Sequence, residues 1–347
     1  MLKEFALDPD LLSNWQDFRF FASQFGTSQG RLISRFPKHW KRLVIDAVQA
    51  ATTRAEAEAE TRVKELAVNL SAQTAKEPGP QSLDSVVADA VKDARSQARS
   101  VGDIEFQRIV EALSSIDALM LISSRNYDGN KQWLENAVAE NLINPFHAIL
   151  SNRNIGQAAN LVIGEDLIPT KMPELIVVPT SVHITREPKR MAECIEILLS
   201  QCNEVIFVDP YFGPGKRQHT EPLKLFLNAI ATRGNRRVPN RIEYHCGNQY
   251  QDRLQFQKDL DQWIKPNLPN GAKLKVVRWI KDQMHNRYVL TDRGGVIFGH
   301  GLDCDLGQPA SHDTVSLLDD RTCAQLVTEY SPQSPRLTWL NDTFTTG

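Results

Sequence analysis

The sequence predicts a mostly α-helical N-terminal region followed by an α/β domain in which helices flank a mixed sheet. Residues 40–75 contain neither Gly nor Pro and are rich in Ala, Glu and Arg, which is typical of one long helix. After about residue 161, short β-branched runs alternate with helical segments, which is typical of a layered α/β domain. A chain of 347 residues with 41% hydrophobic side chains is long enough for both parts. We therefore expect a regulatory or partner-binding region at 1–160 and the α/β domain at 175–347.

The bounds of the helices and strands are predicted from Gly and Pro residues that break them and from the spacing of apolar residues. The segment EPGPQS at 77–82 stops the first long helix. Further helices are expected at 83–100, 104–123 and 130–150, and residues 77–103 are the expected hinge or mobile hairpin. The α/β domain is expected to have helices at 189–201, 221–232 and 250–264. Its expected strands lie at 175–184, 204–212, 241–246, 273–280, 287–291, 295–298 and 314–318.

Composition excludes several classes of protein. Forty Lys and Arg against 42 Asp and Glu give a net charge of -2, so no global field attracts a membrane or nucleic acid. No apolar run reaches the ~18 residues of a membrane helix. Glu4, Asp8 and Asp10 stand where a secretory signal has a basic start and an apolar core. Five cysteines without CxxC spacing fit reduced, partly buried thiols. We expect a cytoplasmic protein with no metal and no cofactor.

The segment MHNRYVLTDRGGVIFGHGLD at 284–303 combines His, Arg and Asp with four glycines. His285 and Arg287 are two residues apart on an expected strand, so both side chains leave one face and can meet one phosphate. Asp292 follows at the strand end, and the glycines permit tight turns and close approach of the backbone to an anion. The pattern indicates a phosphate site.

This segment resembles the HxKxxxxD signature of the phospholipase D superfamily. Arg287 takes the lysine position, and Gly299 and His300 stand at the Gly-Ser pair of that motif. VDPYF at 208–212 is similar to the core strand of the family. With SHDTVS at 311–316, the order of segments most resembles the phospholipase-D-like domain at the C-terminus of MIT-domain proteins. The resemblance covers about 175–330 and implies a phospholipase-D-like α/β domain.

The resemblance implies a metal-independent phosphodiesterase, with a nuclease as the expected activity. A histidine attacks phosphorus and a second histidine protonates the leaving oxygen, so two copies of the motif face each other. One copy per chain implies a homodimer, in which His285 is nucleophile or acid and Arg287 grips the phosphate. His300 replaces the usual serine, and Asp292 and Asp313 are the implied carboxylates that orient histidine.

Departures from the family pattern keep a non-catalytic alternative open. Arg287 replaces the lysine, and Leu302 stands where active members often have Asn. The MIT-associated domain also has His-x-Arg and is a non-catalytic dimeric fold that binds acidic membrane lipid. A scaffold that binds acidic lipid or a protein partner is therefore the alternative. A lipid hydrolase ranks last, because the sequence has no visible apolar channel for an acyl chain.

The same residues also permit structural and metal interpretations. His285 could be a core histidine, with Arg287 and Asp292 as a surface ion pair. Histidines and carboxylates suit divalent ions, although their spacing here matches no known ligand pattern. The residues of that metal interpretation are His300, Asp303, Asp305, His312 and Asp313.

The literal string HxKxxxxD also occurs at 39–46, in HWKRLVID. On a helix, Lys41 lies about 200° around the axis from His39 at ~100° per residue, so the two cannot converge on one phosphate. We expect this match to be coincidental, with Trp40 and Leu43 in packing.

Positive charge is concentrated between Gly213 and Arg241, where seven basic residues accompany one acidic residue, Glu221. Polyanions bind such patches mainly through phosphates, so nucleic acid is the expected partner, acidic lipid the alternative and a solvated surface the third interpretation. Tyr250, Trp263 and Trp279 are candidates for stacking on bases, although core packing is more common for such Trp residues. The expected polyanion-binding residues are Lys216, Arg217, Arg233, Arg236, Arg237 and Arg241.

A helical region ahead of a nuclease suits an effector in bacterial defence, an expectation that rests on analogy between folds alone.

Overall fold

The computed structural model describes residues 1–73, 83–155, 158–164, 167, 173–232, 238–250, 252–307, 309–334 and 336–347. The fold is mixed α/β, with two sheets and a helical N-terminal region. The described residues form two compact units. The N-terminal unit comprises Glu4–Phe25 and Ile33–Ile176, and the C-terminal unit comprises Met1–Lys3, Gly26–Leu32 and Val177–Gly347.

Two long helices dominate the N-terminal unit, α2 (Trp40–Gln73) and α3 (Leu83–Ser115), with the shorter α1 (Trp15–Gln24) and α4 (Trp133–Ile143). The indole N–H of the fully buried Trp40 donates to the Leu7 carbonyl at 2.7 Å, which fixes the start of α2. The Lys41 ammonium pairs with Asp117 at 2.8 Å. The interpretation of HWKRLVID as a packing segment is therefore confirmed.

Helix α3 continues through Gly102, where we predicted a break between two helices. A Cβ atom on Gly102 would lie 2.3 Å from the Thr52 methyl carbon of α2, so the glycine allows the two helices to approach closely. Gly102, which we expected in a break between two helices, instead allows α2 and α3 to pack closely. Within the expected mobile segment at 77–103, residues 77–82 lie outside the described residues and residues 83–103 belong to α3.

A five-stranded sheet that the sequence did not predict has most of its residues in the N-terminal unit. Its strands β1 to β5 run in the order β3-β2-β1-β4-β5, and the pairs β1–β4, β2–β3 and β4–β5 are parallel. The strands have two to five residues and are largely buried, so they lack the alternation that marks a strand with one wet face. The five strands are Lys3–Leu7, Arg31–Ser34, Met120–Leu121, Ala148–Ser151 and Leu161–Ile163. Helices expected at 104–123 and 130–150 accordingly end before β3 and β4.

The C-terminal unit is built on an eight-stranded mixed sheet in the order β13-β9-β8-β7-β10-β11-β12-β6. The central strands β7, β8 and β9 are parallel, and the remaining pairs are antiparallel. The strands β6 to β13 are Ser181–Thr185, Glu204–Val208, Arg241–Gly247, Leu274–Trp279, Arg287–Thr291, Gly294–Phe298, His312–Leu317 and Trp339–Thr346.

Helices cover both faces of this sheet, namely α5 (Pro188–Gln201), α6 (Arg217–Ala231), α7 (Arg253–Asp259) and α8 (Asp320–Glu329). Successive residues of a strand point to opposite faces. Phe207 of β7 therefore stacks on Phe226 of α6 at 5.9 Å between ring centroids, whereas Ile206 lies in a cluster with Leu326 of α8.

The predicted pattern of alternating strands and helices is confirmed in the C-terminal unit, with local differences. The strand expected at 175–184 begins later, because a 3-10 turn occupies Glu174–Ile176. The helix expected at 250–264 starts at Arg253, and its last part, Leu260–Ile264, is a π-helical turn. Strand β13 and helix α8 were not predicted.

All five cysteines are free, with Cys194 partly exposed and the others buried, as predicted. Across the described ranges, no helix combines the length and the apolar composition needed to cross a membrane.

Candidate functional site

Several strand ends of the C-terminal sheet meet at one edge. The parallel strands β7, β8 and β9 end there at Val208, Gly247 and Trp279. The antiparallel strand β10 begins at the same edge with Arg287, which pairs in register with Phe298 at the end of β11. In α/β sheets, ligands commonly bind outside the carboxyl ends of the parallel strands.

A cleft of about 530 Å³ opens at this edge. We call it the cationic cleft, because four cations line it together with two histidines and a single carboxylate. Two tyrosines and two glutamines are the other described residues of the lining. The cations are Arg186, Lys216, Lys281 and Arg287, the histidines are His219 and His300, and the carboxylate is Asp303.

Three of the four cations contact aromatic rings rather than acids. The Lys281 ammonium and the Arg287 guanidinium lie 5.0 Å and 5.1 Å from the ring centroid of Tyr211, and the Lys216 ammonium lies 5.2 Å from that of Tyr250. Within the described part of the chain, no carboxylate lies within ion-pair distance of these three cations. Their charge is therefore available to an anion in the cleft.

The fourth cation is neutralised. Arg186 donates from Nη2 to the Asp303 carboxylate at 2.8 Å and to the Asp303 carbonyl at 3.0 Å. The backbone N–H of Arg186 also donates to the Ser311 carbonyl. These bonds hold the loop after β11 against the end of β6, so Arg186 shapes the wall of the cleft.

Asp209, directly after β7, holds the floor of the cleft together. Its buried carboxylate accepts the backbone N–H groups of Tyr211 and Leu302, each at 2.9 Å. A Cβ atom on Gly301 would lie 2.3 Å from the Asp303 carboxylate, so a side chain at this position would displace that carboxylate. Burial raises the pKa of Asp209, and its two N–H donors act against that rise. Asp209 thus positions both Tyr211 and the loop that carries His300.

Asp313 lies beneath His300 and holds its backbone. The Asp313 Oδ1 atom accepts the His300 N–H at 3.0 Å, and a Cβ atom on Gly299 would lie 2.7 Å from the same oxygen. The contact from Asp313 is made to the main chain of His300, whose side chain is exposed. The resemblance implied an acid that orients an imidazole, whereas this carboxylate orients the peptide that carries one.

The structure separates other members of the predicted constellation. His285 is exposed and precedes β10, and its carbonyl accepts Nη1 of Arg287 at 3.1 Å. Because it is exposed, the interpretation as a core histidine is wrong. Only Arg287 and His300 of the predicted catalytic set line the cleft, with Asp313 directly beneath.

Asp292 lies at the opposite end of β10 from Arg287, about 16 Å away at ~3.3 Å per residue. Its carboxylate accepts the backbone N–H groups of Asn203 and Glu204 and the Asn203 side-chain amide. Asp292 therefore fixes the start of β7 and forms neither the implied contact with a histidine nor the alternative ion pair with Arg287.

The described residues of the predicted basic patch do not form one surface. Lys216 stands at the start of α6, whereas Arg241 begins β8 at the opposite edge of the sheet and pairs with Glu243 at 2.6 Å. Arg217 is exposed beside Lys216 and outside the lining of the cleft. The separation follows from α6, whose 15 residues span about 22 Å. Arg233, Arg236 and Arg237 lie outside the described residues.

No group of three or more His, Cys, Asp or Glu side chains in the described ranges could hold a metal ion. The residues of the metal interpretation have other contacts. Asp303 pairs with Arg186, and Asp305 accepts the N–H groups of Gly307 and Ser311. His312 stacks on His183 with ring centroids 5.0 Å apart.

His219, in the first turn of α6, is a residue of the cleft that sequence reasoning missed. The Gly213 N–H donates to its Nδ1 atom at 2.7 Å, so the neutral imidazole carries its proton on Nε2. Burial lowers the pKa of His219 to about 4. A neutral ring of fixed tautomer is a hydrogen-bond donor, not a base. A lone histidine in a helix gives no sequence signal for this role.

His219 makes stability depend on pH. Its pKa falls from 6.5 to about 4 on folding, so the unfolded chain binds the proton more tightly. The stabilisation is complete above pH 6.5 and is lost as the pH falls toward 4. His219→Asn keeps an acceptor for Gly213 without titrating. We expect the free energy of unfolding of the wild type to fall relative to this variant by about 2 kcal/mol between pH 7 and pH 5, at ~1.4 kcal/mol per pH unit. Urea titrations at both pH values measure the difference, and parallel pH profiles would contradict the assignment.

Comparisons with known proteins add little. No family model matches the chain, and no curated protein matches it. One similar solved structure is that of TrmBL2, an archaeal chromatin protein reported to show a novel mode of DNA binding. It shares 15% identity, covers 48% of this chain and 55% of its own, and superposes with a TM-score of 0.25. A TM-score at this level supports no conclusion about fold or function.

Proposed function

We propose that the C-terminal unit binds the phosphodiester backbone of nucleic acid in the cationic cleft. The observation that carries the proposal is the set of three cations, Lys216, Lys281 and Arg287, that have no carboxylate partner among the described residues. A protein with a net charge of -2 has collected these cations from separate elements at the ligand-binding edge of its sheet.

The start of α6 adds to this positive field. Lys216 is the N-cap residue of α6, and the helix has no side-chain cap. The first amides of a helix lack acceptors within the helix, and the helix dipole favours an anion near them. His219 adds a neutral Nε2–H donor in the same turn. A phosphate in the cleft therefore meets point charges and hydrogen-bond donors together.

Aromatic rings favour nucleic acid over a lipid headgroup. Tyr211 exposes 47% of its surface beside Lys281 and Arg287, and Tyr250 lines the same cleft. Bases stack on aromatic side chains whatever their sequence, whereas a lipid headgroup offers no flat ring. Vesicles with anionic lipid that compete for the cleft as well as an oligonucleotide does would favour the lipid-binding alternative.

Cleavage of the bound phosphodiester is a second candidate, supported by the resemblance to the phospholipase D superfamily and by two exposed histidines. His300 lies in the cleft, and exposed His285 lies beside Arg287, where a second copy of the chain can reach it. In this scheme a histidine nitrogen forms a bond to phosphorus as the bond to the leaving oxygen breaks. The second histidine supplies a proton to that oxygen, and water then cleaves the phosphorus–nitrogen bond.

We expect the wild-type protein, as a dimer, to cleave labelled single-stranded DNA or RNA in EDTA. His285→Ala and His300→Ala are each expected to lower the rate at least 100-fold, because positioned acid–base groups contribute about 10²–10⁴-fold. Gel assays measure the rate, and light scattering measures the mass. His39→Ala is the control, since His39 lies in the N-terminal unit and contributes to no proposed site. A folded dimer that binds the strand but does not cleave it would reject the nuclease activity and leave nucleic-acid binding as the function.

A further inference from the structure

A second cavity, of about 590 Å³, adjoins the cationic cleft. The two share Lys216, Gln249 and Tyr250 in their linings. Pro214, Phe256 and the backbone of two glycines give the second cavity its apolar wall. We call it the side cavity. A ligand in the cationic cleft can therefore extend into the side cavity, whose lining has fewer charged residues.

The ring of Tyr250 is held in place in the wall of the side cavity. A Cβ atom on Gly213 would lie 2.4 Å from the hydroxyl oxygen of Tyr250, so the ring packs directly on the glycine backbone. Tyr250 also lies 6.1 Å from Phe256, measured between ring centroids. The two acids of the lining serve other contacts, since Asp252 accepts the Gln255 backbone N–H and Asp259 accepts the Gln255 side-chain amide.

Gln249 lines both the cationic cleft and the side cavity. Both its Nε2 and its Oε1 atom are buried, and neither has a hydrogen-bond partner among the described residues. A Cβ atom on Gly247 would lie 2.5 Å from Oε1, so that glycine makes the room for the amide. The conclusion does not depend on which terminal atom is oxygen, because both are unpaired. Buried polar groups are nearly always paired, so an amide of this kind indicates a missing partner.

We infer that the side cavity takes one base of a single-stranded nucleic acid whose phosphate lies in the cationic cleft, and that the Gln249 amide pairs with the edge of that base. This inference rests on the proposed function. An amide offers one donor and one acceptor side by side, as Gln does to N6 and N7 of adenine. Tyr250 supplies a ring for stacking, and the buried Phe256 contributes to the apolar wall. A base inside a duplex enters a cavity only after it is unpaired and unstacked, which costs a few kcal/mol, so a single strand is the favoured ligand.

The test compares binding of two labelled DNA strands of equal length and charge, oligodeoxyadenylate and an abasic strand. We expect the wild type to bind the adenine strand about tenfold more tightly, the lower range of the discrimination by a bidentate amide. Gln249→Leu fills similar space without the amide and is expected to lose most of this preference, keeping only the part that stacking on the aromatic rings supplies. It is also expected to unfold at the same or a higher temperature, because it removes unpaired buried polar atoms.

Gln257→Leu is the matched control, since Gln257 bonds Asp261 and the Thr345 carbonyl and does not line the side cavity. It should keep the preference for the adenine strand. If the wild type binds both strands equally well, the base pocket is refuted while phosphate binding stands. If it binds neither strand at low salt, the proposed function fails and the inference with it. A Gln249→Leu protein that keeps the full preference also refutes the role of the amide.

Discussion

Replacing Lys216, Lys281 and Arg287 together by alanine is expected to abolish measurable nucleic-acid binding at physiological salt. The three side chains line one cleft and have no carboxylate partner in the described part of the chain, so each can neutralise a phosphate. The slope of log affinity against log salt for a single strand is expected to become shallower by about 2, at ~0.7 per phosphate contact. Affinity at low salt is expected to fall on the order of 100-fold. Fluorescence anisotropy of a labelled strand over a range of salt concentrations measures both quantities.

A matched variant separates the cleft from net charge. Lys258, Lys265 and Lys273 are exposed lysines outside the cleft lining, and their replacement removes the same formal charge. This control is expected to keep nearly the wild-type affinity and slope. Equal losses in both triple variants would mean that the protein attracts polyanions by general charge, and the cleft would lose its assigned role.

Asp209→Ala is expected to destabilise the C-terminal unit by about 3 kcal/mol, because it leaves two backbone N–H groups without their acceptor. Those groups belong to Tyr211 and to the buried Leu302. The substitution also frees the loop that carries His300, so binding is expected to weaken even under conditions in which the protein remains folded. Urea unfolding gives the stability, and anisotropy at a temperature well below the transition gives the affinity.

Two comparisons isolate the cause of that loss. Asp209→Asn keeps one carbonyl acceptor. Burial raises the pKa of Asp209 and so disfavours its charged form. The asparagine variant, which is neutral, is therefore expected to retain much of the stability. Asp305 also accepts two backbone N–H groups, from Gly307 and Ser311, but in an exposed turn where water can replace it. Asp305→Ala is therefore expected to change stability little. A loss as large as that from Asp209→Ala would show that burial is not the cause.

The C-terminal sheet could be largely predicted from the sequence because its strands are short runs rich in β-branched, aromatic and other apolar residues, separated by turn residues and helical segments. EVIFV at 204–208 is followed by Asp-Pro, and a helix follows both β7 and β8. The N-terminal strands could not be found in this way. RLIS at 31–34 and AILS at 148–151 are too short and too buried to show a period of two.

The candidate site was predicted only in part, because some of its residues belong to one motif and others come together only in the folded sheet. Arg287 and His300 belong to one motif, so their proximity could be expected from sequence. Tyr211 and Lys281 follow the ends of β7 and β9, and only the parallel register of the sheet brings them together. Charge counted along the sequence pointed to 213–241, whereas two of the three available cations lie beyond residue 280.

Asp292 illustrates a limit of motif reasoning. Its spacing from His285 matches the family signature. The spacing alone does not show that residues at the two ends of one strand lie at opposite edges of the sheet. Five residues of extended chain carry it to the far edge of the sheet, where it holds the start of β7. The motif therefore contributes both to ligand binding and to the framework, at opposite ends of one strand.

Differential labelling of lysines with and without a single-stranded oligonucleotide tests the central claim most directly, because it locates the ligand on the unmodified protein. An amine-reactive reagent and mass spectrometry report the reactivity of each lysine. We predict that the oligonucleotide protects Lys216 and Lys281, while the exposed Lys258 and Lys273 react as before. Unchanged reactivity of Lys216 and Lys281 under saturating oligonucleotide would contradict the assignment of the cationic cleft as the phosphate-binding site.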